Sequence, residues 1–216
     1  MLAGRTRGQD TKGTRVVLLG TRGGPRVGAT GRNNPSTLIL INGVPFVIDC
    51  GYGVSRQLLQ AGVLHNSLKY IFITHHHSDH MLEYGPLFYN AWVTGLSSPI
   101  QAYGPPGIKR ITLDFLNYMK LDIDIRIKDE GRLDPRGLVS PHEIRGSGVA
   151  LQNKDVKVTA AKVLHPMVRN AFAYRFDSAE RSIVISGDTA YSPSLAVLAR
   201  DADVLIHEVM YLPGID

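Results

Sequence analysis

The most constraining stretch of this sequence is Thr74-His75-His76-His77-Ser78-Asp79-His80, which follows the apolar run Tyr70-Ile71-Phe72-Ile73. The apolar run predicts a buried strand. Four histidines and a carboxylate are costly to place beside a hydrophobic strand unless a cation coordinates or neutralises them. Imidazole and carboxylate ligands without a thiolate suit zinc or another first-row divalent metal. A surface histidine cluster is the alternative, and the internal, strand-led position and the included aspartate argue against it.

The spacing within this stretch predicts two pairs of ligands. Side chains alternate in an extended segment, so His75 and His77 point the same way and His76 points away. Asp79 and His80 follow as the chain turns. We therefore expect His75 with His77, and Asp79 with His80, to lie within reach of two adjacent ions.

His75-x-His77-x-Asp79-His80 resembles the signature of the metallo-β-lactamase-fold hydrolases, and the resemblance covers the chain from about Val16 onward. It implies that the first two histidines bind one metal ion and that the Asp-His pair binds a second. The two divalent ions are expected to be zinc, with manganese or iron as alternatives. The resemblance also implies an α/β fold, specifically a four-layer αβ/βα sandwich with the metals at one edge.

The second half of the chain repeats one design, in which a predicted strand stops at a candidate ligand. Strands predicted over residues 156–163, 182–187 and 203–206 are followed by His165, Asp188 and the pair His207-Glu208. Strands that alternate with helices and carry ligands at their ends predict an α/β layered fold. By resemblance, His165 is the third histidine of the family and Asp188 is the aspartate that bridges both metals.

The pair His207-Glu208 resembles a His-Glu pair found after a strand in the family branch that contains ribonuclease Z and the related arylsulfatases. In that branch the last metal ligand is a histidine further on, and no histidine follows His207 here. We expect the chain to be C-terminally incomplete, which leaves the second metal one protein ligand short. On this interpretation His207 is an acid or base oriented by Glu208. The alternative is that His207 itself closes the second site.

Asp49 ends a predicted hairpin and is a further candidate for the site. Residues 37–41 and 44–48 flank Asn42-Gly43, which is a strong hairpin signal. Family members carry a similar Asp-x-Gly at a strand end beside the metal loop. By resemblance, Asp49 orients the ligands without binding metal itself. An ordinary turn residue is the alternative.

Three further segments carry predictions. The strict alternation of apolar and charged residues over 121–127 predicts a strand. Residues 128–148 are charged and rich in Gly and Pro, which predicts a connecting loop with short strands and a surface role for His142. The Gly-rich turn at residues 21–25 follows the first strand but lacks the spacing of a phosphate-binding loop. It is predicted to be a loop on the substrate side, with a plain connector as the alternative.

Composition bounds the class of protein. The 216 residues, of which 44% are hydrophobic, predict one domain over residues 14–216 after a flexible, basic N-terminus at 1–13. The net charge of +5 suits an anionic substrate or nucleic acid, and solubility alone is the alternative. Cys50 is the only cysteine, so an intrachain disulfide is excluded. No apolar stretch predicts a membrane span or a signal peptide. We expect a cytoplasmic protein, with an already removed signal peptide as the alternative.

The resemblance implies a mechanism and a class of substrate. A hydroxide held between the two metals attacks the substrate, Asp79 orients it and accepts its proton, and His207 donates a proton to the leaving group. We expect a small anionic ester, either a phosphate ester or a sulfate ester, cleaved by a phosphodiesterase or arylsulfatase-like enzyme. Nucleic acid is not favoured as a substrate, no membrane partner is expected, and a homodimer is compatible with these observations.

Three alternatives to this function stay open. The first is a β-lactamase or another amide or lactone hydrolase. The second is a ribonuclease Z-type nuclease without the usual arm, because only residues 166–187 separate His165 from Asp188 and they predict two strands. The third is a non-catalytic binding module of the same fold, which the presence of every ligand candidate disfavours.

Overall fold

Two β-sheets lie at the centre of the fold in the computed structural model, which describes residues 13–27 and 31–209. Of the N-terminal segment predicted to be flexible, residues 1–12 lie outside the described residues. The strands are β1 (Thr14–Gly20), β2 (Ser36–Ile41), β3 (Val44–Ile48), β4 (Tyr70–Phe72), β5 (Ile100–Gly104), β6 (Val139–Glu143), β7 (Gly148–Gln152), β8 (Val156–Lys162), β9 (Phe172–Ser178), β10 (Ser182–Ile185) and β11 (Val204–Ile206). The helices are α1 (Val54–Gln60), α2 (Ser78–Met81), α3 (Tyr84–Val93), α4 (Ile108–Tyr118), α5 (Lys120–Glu130) and α6 (Pro193–Leu198).

Both sheets are mixed. The first has six strands in the order β1-β2-β3-β4-β5-β6, with β1, β2 and β3 antiparallel and β3 to β6 parallel. The second has five strands in the order β11-β10-β9-β8-β7, antiparallel except for the parallel pair β10 and β11. Parallel neighbours end at the same sheet edge, so residues that follow β3 and β4, or β10 and β11, are brought together.

The apolar core lies in three layers that separate four layers of structure. Side chains of the two facing sheets, including Phe46, Phe72 and Phe176, form the central layer. A second cluster fills the space between the first sheet and the helices α1, α3, α4 and α5. A third, smaller cluster lies between the second sheet and α6. The order helix, sheet, sheet, helix confirms the predicted four-layer αβ/βα sandwich.

The predicted hairpin is confirmed. Strands β2 and β3 pair in antiparallel register from Thr37 opposite Ile48 to Ile41 opposite Val44. Asn42 and Gly43 form the connection, with φ angles of 49° and 77°. Two residues with positive φ match the twist of the flanking strands, which explains why Asn-Gly occupies this turn.

The strand predicted over residues 121–127 is wrong, because the segment forms helix α5. Ile123 is fully buried, whereas Leu121 is 81% exposed and Ile125 is 57% exposed, so the apolar residues do not share one face. The alternating charges pair four residues apart instead, as in Arg126 with Asp122 at 2.9 Å. These ion pairs, together with the burial of Ile123, are compatible only with a helical period.

The region from 128 to 148 contains short strands, as predicted, since β6 lies within it and β7 begins at its end. Strand β6 pairs in parallel with β5 at the edge of the first sheet. His142 lies in β6, where its ring stacks on Tyr103 at 4.7 Å.

Within the described parts of the chain, no helix is long and apolar enough to cross a membrane.

Candidate metal centre

The side chains of the predicted site follow strands that end at one edge of the fold. Asp49 comes directly after β3, and the histidine-rich stretch begins just beyond its parallel neighbour β4. His165, Asp188 and His207 follow strands β8, β10 and β11 of the second sheet. The two sheets are joined at this edge, because the Phe172 N–H donates to the Thr74 carbonyl oxygen at 3.0 Å.

Two groups of potential metal ligands share His75. Ligand atoms of His75, His77 and His165 lie within 4.8 Å of one another, and the same holds for His75, His80 and Asp188. Asp79 stands beside the second group, with its Oδ2 3.8 Å from His80 Nε2. The structure therefore gathers at one place the six residues that the sequence proposes as metal ligands, although they come from three distant segments.

Asp49 determines which ring nitrogen of His80 carries a proton. The carboxylate is 4% exposed, and its Oδ2 lies 2.8 Å from His80 Nδ1. A carboxylate accepts hydrogen bonds, so Nδ1 is the donor. In the neutral ring this leaves the lone pair of His80 on Nε2, which faces Asp188. A partner that fixes the tautomer in this way is typical of histidines that bind metal.

Thr74 extends the same control to His75. Its Oγ1 donates to Asp49 Oδ2 at 2.9 Å and lies 3.1 Å from His75 Nδ1. Because the hydroxyl hydrogen points to the carboxylate, the oxygen accepts from the Nδ1–H of His75. The lone pair of His75 is then on Nε2, which lies 3.1 Å from His77 Nδ1. Sequence analysis assigned no role to Thr74.

Two buried nitrogens show that the donor set fits divalent cations. Within the described residues, His80 Nε2 and His165 Nδ1 are buried without a hydrogen-bond partner. His80 Nε2 lies 3.2 Å from Asp188 Oδ1 but is not aligned for a hydrogen bond. A buried polar atom without a partner is costly, and a metal ion is a partner that imidazole nitrogens and carboxylate oxygens both accept.

The electrostatics of the cluster favour positive charge. Burial lowers the pKa of His80, but the carboxylates of Asp49 and Asp188 outweigh burial and raise this pKa to about 10. Burial lowers the pKa of His75 to about 3, helped by the neighbouring His80, so His75 is a neutral ring with a free lone pair. The field that holds a proton on His80 attracts a metal cation to the same nitrogen.

An open cleft of about 730 Å³ lies over these residues. Its lining combines the candidate ligands with the Gly-rich loop after β1 and the residues that follow β8, β10 and β11: Gly24, Pro25, His77, Ser78, Asp79, His165, Pro166, Asp188, Thr189, Ala190, His207 and Glu208. The volume is in the range of small-molecule sites. The placement of Gly24 and Pro25 agrees with a loop on the substrate side.

The family model described as "Anti-Pycsar protein Apyc1" matches residues 15–214. The chain belongs to the Apyc1 family. Among curated relatives of this Apyc1-family chain, a "Ribonuclease Z" of Mycobacterium sp. (strain KMS) is 36% identical over 194 residues, which cover 89% of this chain and 67% of the relative. A "Ribonuclease Z" of Mycobacterium bovis is 33% identical over 198 residues, which cover 90% of this chain and 70% of the relative. The chain thus spans about two thirds of the length of these relatives.

Solved structures confirm the fold of this Apyc1-family chain. The short form of human tRNase Z matches with a TM-score of 0.71 at 23% identity, covering 89% of this chain and 76% of that one. The metallo-β-lactamase fold protein YhfI of Bacillus subtilis matches with a TM-score of 0.67 at 20% identity, covering 89% of this chain and 69% of that one. Together with the named relatives, these matches identify a metal-dependent hydrolase of the metallo-β-lactamase superfamily in the ribonuclease Z branch.

His207 and Glu208 line the cleft, and their contact runs through the backbone of Glu208. His207 Nδ1 lies 2.6 Å from the backbone carbonyl oxygen of Glu208, so Nδ1 is the donor. The Glu208 carboxylate instead accepts from the Thr189 N–H at 2.5 Å. Glu208 therefore orients His207 through its backbone, while its side chain holds the residue next to Asp188.

His76 and His142 lie outside the ligand groups. His76 turns away from the cleft, with Nε2 3.2 Å from the Pro106 carbonyl oxygen. His142 is in β6, with Nε2 2.7 Å from Gln101 Oε1.

Sequence reasoning assigned no role to Gly187, which packs against Thr74 directly before Asp188. A Cβ built on Gly187 would lie 2.9 Å from Thr74 Cβ, and its φ is 60°. The signal was its position directly before a candidate ligand at a strand end, where only glycine combines small size with a left-handed backbone.

Proposed function

We propose that this chain is a metal-dependent phosphodiesterase that cleaves small anionic esters in the cleft. The observation that carries the proposal is the meeting of two groups of histidine and aspartate ligands at His75, inside that cleft. Phosphate esters are proposed as substrates in preference to sulfate esters.

The proposed ligands divide between two ions. His75, His77 and His165 would hold one ion, and Asp79 and His80 would hold the second. Asp188, whose carboxylate lies with His75 and His80, would contribute to both. Divalent ions bound there supply Lewis acidity towards an ester oxygen and lower the pKa of water. Zinc is the proposed metal because the set is rich in imidazole, with manganese or iron as alternatives.

Asp79 and His207 are the proposed proton carriers of the chain. Asp79 is 6% exposed and borders the cleft, where a carboxylate orients a water molecule and accepts its proton. His207 donates through Nδ1 to a carbonyl oxygen, which leaves Nε2 to face the leaving group. The doubly protonated ring carries a proton on Nε2 as well, and this is the proton that it gives to the leaving group. Glu208 keeps this ring beside the cleft through that carbonyl.

The names of relatives support a phosphodiester substrate. The curated relatives are called ribonucleases, and a solved structure titled as a diphosphatase from the PhnP family shares the fold with a TM-score of 0.64 at 17% identity over 89% of this chain and 72% of that one. A positively charged chain also suits an anionic ester. Ribonuclease activity is the second candidate, and the 36% identity to a ribonuclease Z favours it.

Maturation of transfer RNA is not favoured. Strands β9 and β10 take up the segment between His165 and Asp188, and both pair within the second sheet. This segment is where transfer-RNA-processing members of the branch are expected to carry their arm.

A substrate panel tests the proposal. The chain, loaded with zinc or manganese, is assayed with bis(p-nitrophenyl) phosphate, p-nitrophenyl phosphate, p-nitrophenyl sulfate, a short RNA and a chromogenic cephalosporin. We expect turnover of the phosphodiester, loss of bound metal and turnover together in His77→Ala and Asp188→Ala, and no loss in His142→Ala. Full turnover by the metal-free protein, or preference for the sulfate or the cephalosporin, contradicts the proposal.

A cytoplasmic location and assembly as a homodimer also belong to the proposal. Cell fractionation and sedimentation equilibrium of the purified chain test them.

A further inference from the structure

A buried amide side chain attaches the Gly-rich loop to the metal edge. Asn34 is 2% exposed, and its side-chain nitrogen donates to the carbonyl oxygens of Gly24 at 2.8 Å and Arg22 at 3.3 Å. Both partners are carbonyl oxygens, so the side chain must present its NH₂ group to them. The backbone N–H of Asn34 donates to the Tyr52 carbonyl oxygen at 3.2 Å, which anchors the residue itself.

Two glycines, Gly20 and Gly51, pack closely against Asn34. A Cβ built on Gly20 would lie 1.9 Å from the Asn34 carbonyl oxygen, and one built on Gly51 would lie 2.6 Å from Asn34 Cβ. The same Cβ on Gly51 would lie 2.2 Å from the Asp79 carbonyl oxygen. Gly51 is therefore packed between Asn34 and the backbone of a proposed metal ligand, so the anchor and the ligand are fixed to one rigid point.

The attached segment forms part of the wall of the cleft. Gly24 and Pro25 line the cleft together with His77 and His207. A Cβ built on Gly24 meets no atom within 4 Å, so the space beside this residue is open. The hydrogen bonds from Asn34, with the Arg22 N–H to Asn33 carbonyl bond of 2.9 Å, connect this wall to the residues that precede β2.

We propose that Asn34 is a positioning residue that fixes the wall formed by Gly24 and Pro25 and so limits the size of the ester that the cleft accepts. The limit on ester size, which is the second step, rests on the proposed function. The anchoring of the wall by Asn34, which is the first step, rests only on contacts within the chain.

Hydrogen exchange tests the anchor without any substrate. Asn34→Asp keeps the shape of the side chain but turns an oxygen towards the two carbonyl oxygens, and Asn34→Ala removes the donor altogether. We expect amide exchange in residues 21–27 to become about tenfold faster in both variants, with the strands unaffected. Asn153→Ala is the matched control, since Asn153 holds a turn between β7 and β8 by accepting from Asp155 N at 2.9 Å and Val156 N at 3.0 Å.

Two esters with one leaving group test the limit on size. Bis(p-nitrophenyl) phosphate and the p-nitrophenyl ester of thymidine 5′-monophosphate both release p-nitrophenol and differ in the group that is retained. We expect the ratio of their kcat/KM values to change about fivefold or more in the Asn34 variants, through KM, with kcat and metal content close to those of the wild type. A role in folding alone would lower kcat for both esters equally and leave the ratio unchanged.

The outcomes separate the two steps. Unchanged exchange in residues 21–27 overturns the anchor. Faster exchange with an unchanged ratio overturns the limit on size. If the wild type cleaves neither ester, the proposed function fails and the limit on size fails with it, while the exchange data still decide the anchor.

Discussion

The Asp49 carboxylate lies 2.8 Å from His80 Nδ1, on the side of the ring opposite the nitrogen that faces Asp188. The same carboxylate accepts from the Thr74 backbone N–H at 2.7 Å and from the Thr74 hydroxyl at 2.9 Å. Three donors thus converge on one buried carboxylate. The backbone of Asp49 has a φ of 62°. This backbone conformation is uncommon for a residue other than glycine, and the three hydrogen bonds explain why it is tolerated.

Replacing Asp49 by Asn tests this arrangement. An amide has the same shape but offers one oxygen, so at least one of the three donors would face the NH₂ group. We expect the affinity for zinc to fall about 10- to 100-fold, measured by competition with a chelator. Asp129→Asn, on the exposed face of α5, is the control and should bind zinc like the wild type. Equal affinities in the two variants would show that Asp49 does not orient His80.

Thr74 offers a sharper test, because one substitution removes its hydroxyl and another keeps it. Thr74→Val keeps the volume but removes the hydroxyl between Asp49 and His75, which leaves the buried Nδ1–H of His75 without a partner and takes one of two donors from Asp49 Oδ2. We expect a loss of about 1–3 kcal/mol in the free energy of unfolding and weaker zinc binding. Thr74→Ser keeps the hydroxyl and should retain most of the zinc affinity. Urea denaturation and zinc titration measure both effects, and a serine variant as weak as the valine variant contradicts the relay.

Gly187 determines how closely Asp188 approaches the histidines. Gly187→Ala adds a methyl group 2.9 Å from Thr74 Cβ at a φ of 60°, so contact and backbone strain act together. We expect bound zinc per chain, measured by plasma mass spectrometry, to fall together with the melting temperature. Gly146→Ala is the control, because a Cβ there meets no atom within 4 Å. Zinc content equal to that of the control would mean that Asp188 is not displaced.

The ligands were visible in the sequence because their chemistry is costly at a strand end. The roles of His165 and Asp188 came from the resemblance of their strand-end positions to the family pattern, and the fold brings both beside the histidine-rich stretch. Asn34 and Thr74 were not visible, because an amide or a hydroxyl is ordinary in a loop. Their importance comes from partners that only the tertiary structure supplies. The hydrogen bond from the Thr189 N–H to the Glu208 carboxylate was not visible for the same reason.

The period of residues 121–127 was misread because alternation alone does not distinguish a strand from a helix whose apolar residues are mostly exposed. The deciding observation is that only every fourth position packs inward. Ile123 is buried and Ile127 packs against the same core, while Leu121 and Ile125 lie in solvent.

Ile123 is buried and Leu121 is exposed, so alanine substitutions at the two positions distinguish a helix from a strand. Ile123→Ala should lower the free energy of unfolding by about 2–5 kcal/mol, because a buried side chain is lost and a cavity remains beneath α5. Leu121→Ala should change it by less than about 0.5 kcal/mol, since that side chain is 81% exposed. In a strand the two residues would share a face and the two losses would be similar. Urea denaturation followed by circular dichroism measures both variants. Equal losses in the free energy of unfolding would favour a strand over residues 121–127 instead of α5.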